Sequence, residues 1–271
     1  MVSEAQGELF GHGGLECFGR RVQTGVFPIG IDLDGFLAAR NSTLGTRTYD
    51  RMAASAAFRS MIVGVDRLDY SKGLEERLLG YEQFLHDNAS MRGEVFLLQV
   101  TPISRDDVDS YQDIRARLDA LAGRINGAFG DMDWQPIRYL NRTYRRDQLA
   151  GIYRAARVGL VTPLRDGMNL VAKEYVAAQN PDDPGVLILS RFAGAAEQMG
   201  EALLVNPYSR EELSDAIQKA LTMPKAERIR KWQALMEVVR ATDVGIWRDD
   251  FVRALRSDEA TAQSTQWAGA A

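Results

Sequence analysis

A doubly wound parallel α/β sheet, Rossmann-like and followed by extra C-terminal helices, is the fold class this sequence predicts. Three observations carry the prediction. Six short runs rich in apolar and β-branched residues recur along the chain. Helical stretches separate them, an alternation that builds parallel sheets covered by helices on both faces. The runs are also near-continuously apolar, as strands buried on both faces are.

The elements follow in chain order. Residues 1–20, MVSEAQGELFGHGGLECFGR, are Gly-rich and aperiodic and read as a loose leader. VQTGVFPIGIDLDGF, 22–36, reads as a short strand that runs through Pro28 and Gly30 into a turn. The six sheet strands are MIVGV (61–65), EVFLLQV (94–100), PIRYL (136–140), RVGLV (157–161), GVLILS (185–190) and ALLV (202–205). Between them, 73–88 is helical, with Leu74, Leu78, Tyr81 and Leu85 on one face. Residues 105–129 form a longer helix, with Ser104 or Asp106 available as its cap. NLVAKEYVAAQN, 169–180, is a third helix, and further helices fall at about 209–222, 224–241 and 243–255. Residues 257–271 read as a disordered tail. The main domain therefore spans 58–256.

Composition narrows the function. The chain has 271 residues and a formal net charge of −4, so no global basic field attracts nucleic acid or anionic lipid. An anionic ligand must be held by locally placed Arg and Lys. A single cysteine, Cys17, with His12 and His86 as the two histidines, makes a poor inventory for disulfides or a metal site. No apolar run approaches the ~20 residues of a membrane span. Without a secretory leader pattern the expected location is cytoplasmic.

Ligands of doubly wound sheets bind beyond the strand C-termini, so segments just after strands deserve weight. VDRLDYSKG, 65–73, places Arg67 and Lys72 where they can converge on one diphosphate, a planar fork beside a mobile point charge. Solvated surface charge is the alternative, and Asp66 and Asp69 are expected to pair with these cations and hold the loop. TPLRDGMNLVAKEYVAAQ, 162–179, turns tightly at Arg165-Asp166-Gly167 into a helix near Asn169. The backbone N–H groups of Asn169, Leu170 and Val171 would point outward at the positive end of the helix dipole, a ready pyrophosphate site. Glu174 can accept from ribose hydroxyls, and Asp166 can reach a sugar hydroxyl. Alternatively Asp166 caps the helix and Glu174 pairs with Lys173. Arg105 opens a helix after a strand, and on residues alone it is best read as pairing with Asp106 or Asp109. Tyr144 can stack on a base and Leu149 can wall it, although such residues are more often core. Neither G-x-x-x-x-G-K-[ST] nor G-x-G-x-x-G occurs, which counts against P-loop chemistry and NAD. No acidic pair at a strand end demands a divalent metal.

Together these blocks resemble the donor-binding half of the α,α-trehalose-phosphate synthase family, UDP-forming retaining glucosyltransferases of the GT-B fold. The matching blocks are VFPIGID, VDRLDYSKGLEER, SYQDIR, GRING, YLN, VGLVTPLRDGMNLVAKEYVAAQ and NPY, in family order across about residues 22–255. The resemblance implies transfer of glucose from UDP-glucose to glucose 6-phosphate, giving trehalose 6-phosphate and UDP, with no cofactor and no metal. It implies that Arg67 and Lys72 hold the donor diphosphate and that Asp166 binds hydroxyls of the transferred glucose. Gly167 and the N–H groups of Asn169, Leu170 and Val171 would contact the donor, with Glu174 on the ribose. Tyr144 and Leu149 would lie beside the uracil, and Arg105 would reach the acceptor phosphate. A GT-B enzyme has two such domains facing a cleft, so the resemblance also implies a complementary N-terminal half or an oligomeric partner. Residues 1–20 do not match the family, and 21–57 read as a remnant strand and linker from that other half. The last helix is then expected to expose Ile246, Trp247 and Phe251. A glucosylglycerol-phosphate synthase, or a non-catalytic UDP-sugar-binding partner, would carry similar blocks.

Overall fold

The computed structural model describes the backbone of residues 8–10, 14–17, 20–102 and 109–268, and the side chains of 22, 24–102 and 112–256. The chain divides into two compact units, Met1–Ile29 with Val244–Ala271, and Gly30–Asp243.

The first unit begins with three short strands, β1 (Glu8–Phe10), β2 (Gly14–Cys17) and β3 (Arg20–Gln23). They pair antiparallel in the order β1-β2-β3. This corrects the expectation of a loose leader. Glycines around short runs read as loop, yet a Gly-punctuated series of three- and four-residue strands is what a tight antiparallel meander requires. Residues 24–32, expected to continue as a strand, carry no regular structure.

The second unit opens with two helices that the sequence reading treated as linker, α1 (Leu33–Asn41) and α2 (Thr43–Ala56). Each has a side-chain cap. Asp32 accepts from Gly35 N at 2.9 Å and Ser42 accepts from Gly45 N at 3.0 Å. Phe36 is fully buried and Thr48 nearly so, which makes both helices part of the core.

The alternation then runs as expected: β4 (Ser60–Val65), α3 (Leu74–Asp87), β5 (Val95–Val100), α4 (Asp109–Phe129), β6 (Ile137–Leu140), α5 (Arg146–Ala155), β7 (Val158–Val161), α6 (Leu170–Ala178), β8 (Val186–Ser190), β9 (Leu203–Val205), α7 (Arg210–Thr222) and α8 (Lys225–Ala241). The six strands form one parallel sheet in the order β6-β5-β4-β7-β8-β9. Side chains alternate between two apolar clusters. Met61, Val63 and Val65 of β4 join α5 and α6 on one face, while Ile62 joins α3 and α7 on the other. The order of strands reverses between β4 and β7. A crevice opens at such a switch because successive connections leave toward opposite faces.

The last helix, α9 (Val244–Ala268), belongs to the first unit. It extends beyond residue 255, the end read from sequence. Trp247 Nε1 donates to Phe27 O at 2.9 Å, and the Phe251 ring meets the Phe27 ring edge-on at 5.1 Å. Trp247 is thereby partly covered, whereas Ile246 and Phe251 remain 45% and 37% exposed. No helix among the described residues is long and apolar enough to cross a membrane.

Candidate functional site at the sheet switch

Two loops leave the sheet at the reversal, residues 66–73 after β4 and 162–169 after β7. They are tied together: Leu164 N and Arg165 N both donate to Ser71 O, at 2.8 and 3.3 Å. Gly73 makes the approach possible. Its φ is +62°, and a Cβ there would lie 2.5 Å from Thr162 O. In the first loop the Asp69 carboxylate accepts from Ser71 N at 2.9 Å and Ser71 Oγ at 2.8 Å, folding the chain into the short helical turn Tyr70–Lys72. Partial burial works against its ionisation, but the Ser71 bonds and the nearby Lys72 and Arg67 hold the Asp69 carboxyl below its usual range.

Lys72 ends that turn and meets Asp166 from the other loop, Nζ to Oδ2 at 2.5 Å. Their side chains are only 14% and 17% exposed. Asp166 is fixed through its backbone, donating N–H to Phe192 O at 3.2 Å and accepting from Gly194 N at 3.0 Å. Asn169, not Asp166, is the residue that caps α6, and it does so with left-handed backbone, φ +68°. Its side chain makes no capping bond, and Oδ1 is buried without a partner among the described residues. Among those residues, the N–H groups of Asn169, Leu170 and Val171 donate to no carbonyl. A cation and a set of open helix N–H groups thus stand at the mouth of the crevice, which is an anion site by its chemistry.

Glu174 follows one turn into α6. It is half-buried and bonded to nothing among the described residues. Burial pushes its carboxyl above the usual range, with the Arg146 guanidinium opposing. It does not pair with Lys173, whose buried amine bonds Thr242 Oγ1 at 3.0 Å and is pushed down to about 8 by burial.

Arg67 is exposed and makes no hydrogen bond or ion pair among the described residues. Gly167 is exposed in the turn after Asp166. Leu149, on α5, packs against the apolar cluster beneath α6. Tyr144 packs there too and lines a cavity of about 490 Å³ with Met52, Leu140 and Ile152. Arg105, with the candidate caps Ser104 and Asp106, lies outside the described residues.

The expectation that Asp66 and Asp69 pair with Arg67 and Lys72 needs correcting: Asp69 bonds Ser71, and Lys72 pairs with Asp166. Asp66 pairs with neither Arg67 nor Lys72 but with Arg77, Oδ2 to Nη2 at 2.7 Å. Arg77 is fully buried and also bonds Thr162 Oγ1 at 2.9 Å and Gln99 Oε1 at 3.0 Å. Burial drives the Asp66 carboxyl up, with Arg77 opposing. The sequence reading passed over Arg77, although a signal was present: it sits three residues after Leu74 and four before Tyr81, on the apolar face of α3. Among the described residues, no group of three or more His, Cys, Asp or Glu is placed to hold a metal ion.

Fold and site together define a doubly wound α/β domain with a candidate anion site built from two loops and a helix start. Residues 6–257 match glycosyltransferase family 20, and the chain belongs to that family. The match begins inside the segment expected to fall outside it. A trehalose-6-phosphate synthase of Sinorhizobium fredii is 48% identical over 252 residues, covering 93% of this chain and 54% of that protein. Among solved structures, an α,α-trehalose-phosphate synthase (UDP-forming) from Burkholderia xenovorans in complex with glucose-6-phosphate superposes with a TM-score of 0.90 at 45% identity. It covers 94% of this chain and 57% of its own. Trehalose-6-phosphate synthase from E. coli bound with UDP-2-fluoro glucose gives a TM-score of 0.90 at 43% identity, covering 94% and 56%. The chain spans about half the length of the curated relatives it matches.

Proposed function

We propose that this chain supplies the donor half of a retaining glucosyltransferase that moves glucose from UDP-glucose to glucose 6-phosphate, releasing trehalose 6-phosphate and UDP. The observation that carries the reading is the meeting of Lys72, Asp166 and the open N–H groups of Asn169, Leu170 and Val171 at the switch of the sheet. Relatives solved with a UDP-sugar analogue and with glucose-6-phosphate support the substrate classes.

In the reaction, the bond from the glucose anomeric carbon to the UDP oxygen breaks and negative charge grows on the diphosphate. Lys72, Arg67 and the α6 N-terminus are fixed there, and they attract that charge more strongly in the transition state than in the bound donor. The acceptor hydroxyl bonds to the anomeric carbon from the face the diphosphate leaves, and its proton passes to a departing phosphate oxygen. Configuration is retained without a protein nucleophile. The reading assigns no step to a metal or other cofactor. Before donor binds, Lys72 and Asp166 neutralise each other; on binding, Lys72 turns to phosphate and Asp166 to a glucose hydroxyl. Glu174 takes the ribose hydroxyls, and Leu149 and Tyr144 flank the base. Arg105 is assigned to the acceptor phosphate, and the rest of the acceptor site to a complementary N-terminal half.

Calorimetric titration with UDP tests this. The folded chain should bind at micromolar to millimolar Kd, roughly −8 to −4 kcal/mol. Lys72→Ala should weaken binding by about 1.5–3 kcal/mol, the worth of a charge-assisted bond. A folded chain that ignores millimolar UDP would sink the donor assignment.

A further inference from the structure

We infer that Arg77 is a positioning residue for the donor diphosphate, setting the two loops that carry Lys72 and Asp166 in register from beneath; the inference rests on the donor reading above. The guanidinium spends its fork on three strands at once. Nη2 donates to Asp66 at the exit of β4, Nη1 to Gln99 within β5, and Nε to Thr162 at the exit of β7, at 2.7, 3.0 and 2.9 Å. Nη2 also lies 3.5 Å from the carbonyl of Lys72 itself. Both loops therefore start from groups that one rigid plane holds.

The fold makes room for this plane. A Cβ on Gly64 would lie 2.4 Å from Gln99 Oε1 and 2.6 Å from Arg77 Nη1, so β4 carries glycine where the guanidinium crosses it. Stability alone is a weak reason to bury such a group, because well-packed apolar residues commonly replace buried ion pairs without loss. What an apolar residue cannot do is fix Asp66 and Thr162 relative to each other. Lysine offers a point charge without the planar fork and cannot make the three divergent bonds together.

The test is Arg77→Lys in the full chain, first shown by circular dichroism and melting to be folded. Hydrogen exchange should quicken about tenfold or more in peptides covering 66–73 and 162–169, with those covering α8 unchanged. UDP affinity should fall about tenfold in the wild-type background and less than about threefold on Lys72→Ala, because the two changes act through one loop. Unchanged loop exchange in the folded variant overturns the inference. So does an equal loss of affinity in both backgrounds, the mark of a residue that only supports the core. If Arg77→Lys does not fold, Gln99→Ala removes one of the three anchors and should quicken the same two loops by a smaller factor; no change there overturns the proposal. A wild-type chain that fails to bind UDP sinks the donor reading, while the exchange result still decides whether Arg77 holds the loops.

Discussion

In the proposed donor site Glu174 would set folding against binding. Its carboxyl is half-buried with no hydrogen bond among the described residues, and burial raises its pKa. A carboxyl raised on folding favours the protonated state, so its contribution is full below the unfolded pKa and is lost as pH rises through the folded one. Glu174→Gln should therefore raise the melting temperature of the free chain at pH 7–8, and the gain should vanish at pH below the ordinary Glu range. Each kcal/mol recovered is worth about 2–4 °C in a chain of this size. The same variant should weaken UDP but leave free pyrophosphate binding nearly untouched. Thermal scans across pH check the first part and calorimetry the second; equal losses for both ligands would remove Glu174 from the ribose. The type of residue and its place one turn into α6 were readable in the sequence. That it would be left without a partner was not, because this depends on Lys173 turning inward to Thr242.

At the scale of elements, the sheet was readable and the first two helices were not. All six parallel strands start within one residue of the runs that predict them, since strands buried on both faces leave continuous apolar blocks. By contrast, α1 is only nine residues long, with its Leu33, Phe36 and Leu37 period confined to the first turns, and α2 is built mostly from small and polar residues. Their caps, Asp32 and Ser42, were the available signal. The second element-scale feature missed from sequence is the tie at the N-terminal end of the sheet. Asp183, before β8, bridges Arg157 before β7 and the nearly buried Arg228 of α8, at 3.2 and 2.7 Å. The Arg157 and Arg228 bonds bring its pKa down to about 2. A carboxyl lowered on folding contributes stability above its unfolded pKa of about 3.8, and that contribution is lost as pH falls toward about 2. Asp183 is 43% exposed, so solvent screens the pair and the loss on Asp183→Asn should be modest, about 1 kcal/mol or less. The variant should melt a few degrees lower at pH 7, and the gap should close between about pH 4 and pH 2. A constant gap over that window would mean that packing, not charge, is what the substitution removes.

On the scale of the whole molecule, the proposed reading divides donor and acceptor determinants unevenly. Every group that the donor reading needs, from Arg67 through Glu174, lies on loops and helices of the Gly30–Asp243 unit. For the acceptor the resemblance names Arg105, which lies outside the described residues, and the chain spans about half the length of its relatives. One charge-assisted contact at about 1.5–3 kcal/mol does not reach even the roughly 4 kcal/mol of a millimolar complex. Glucose 6-phosphate alone should therefore leave the melting temperature unmoved at millimolar concentration. UDP at a hundred times its Kd should stabilise the chain by about 2.7 kcal/mol, a shift of roughly 5–10 °C. Lys72→Ala should remove most of that shift at the same UDP concentration. A clear rise with glucose 6-phosphate alone would relocate acceptor recognition into this half and make Arg105→Ala the next variant to measure. A shift with UDP that survives Lys72→Ala would move the diphosphate away from the 66–73 loop.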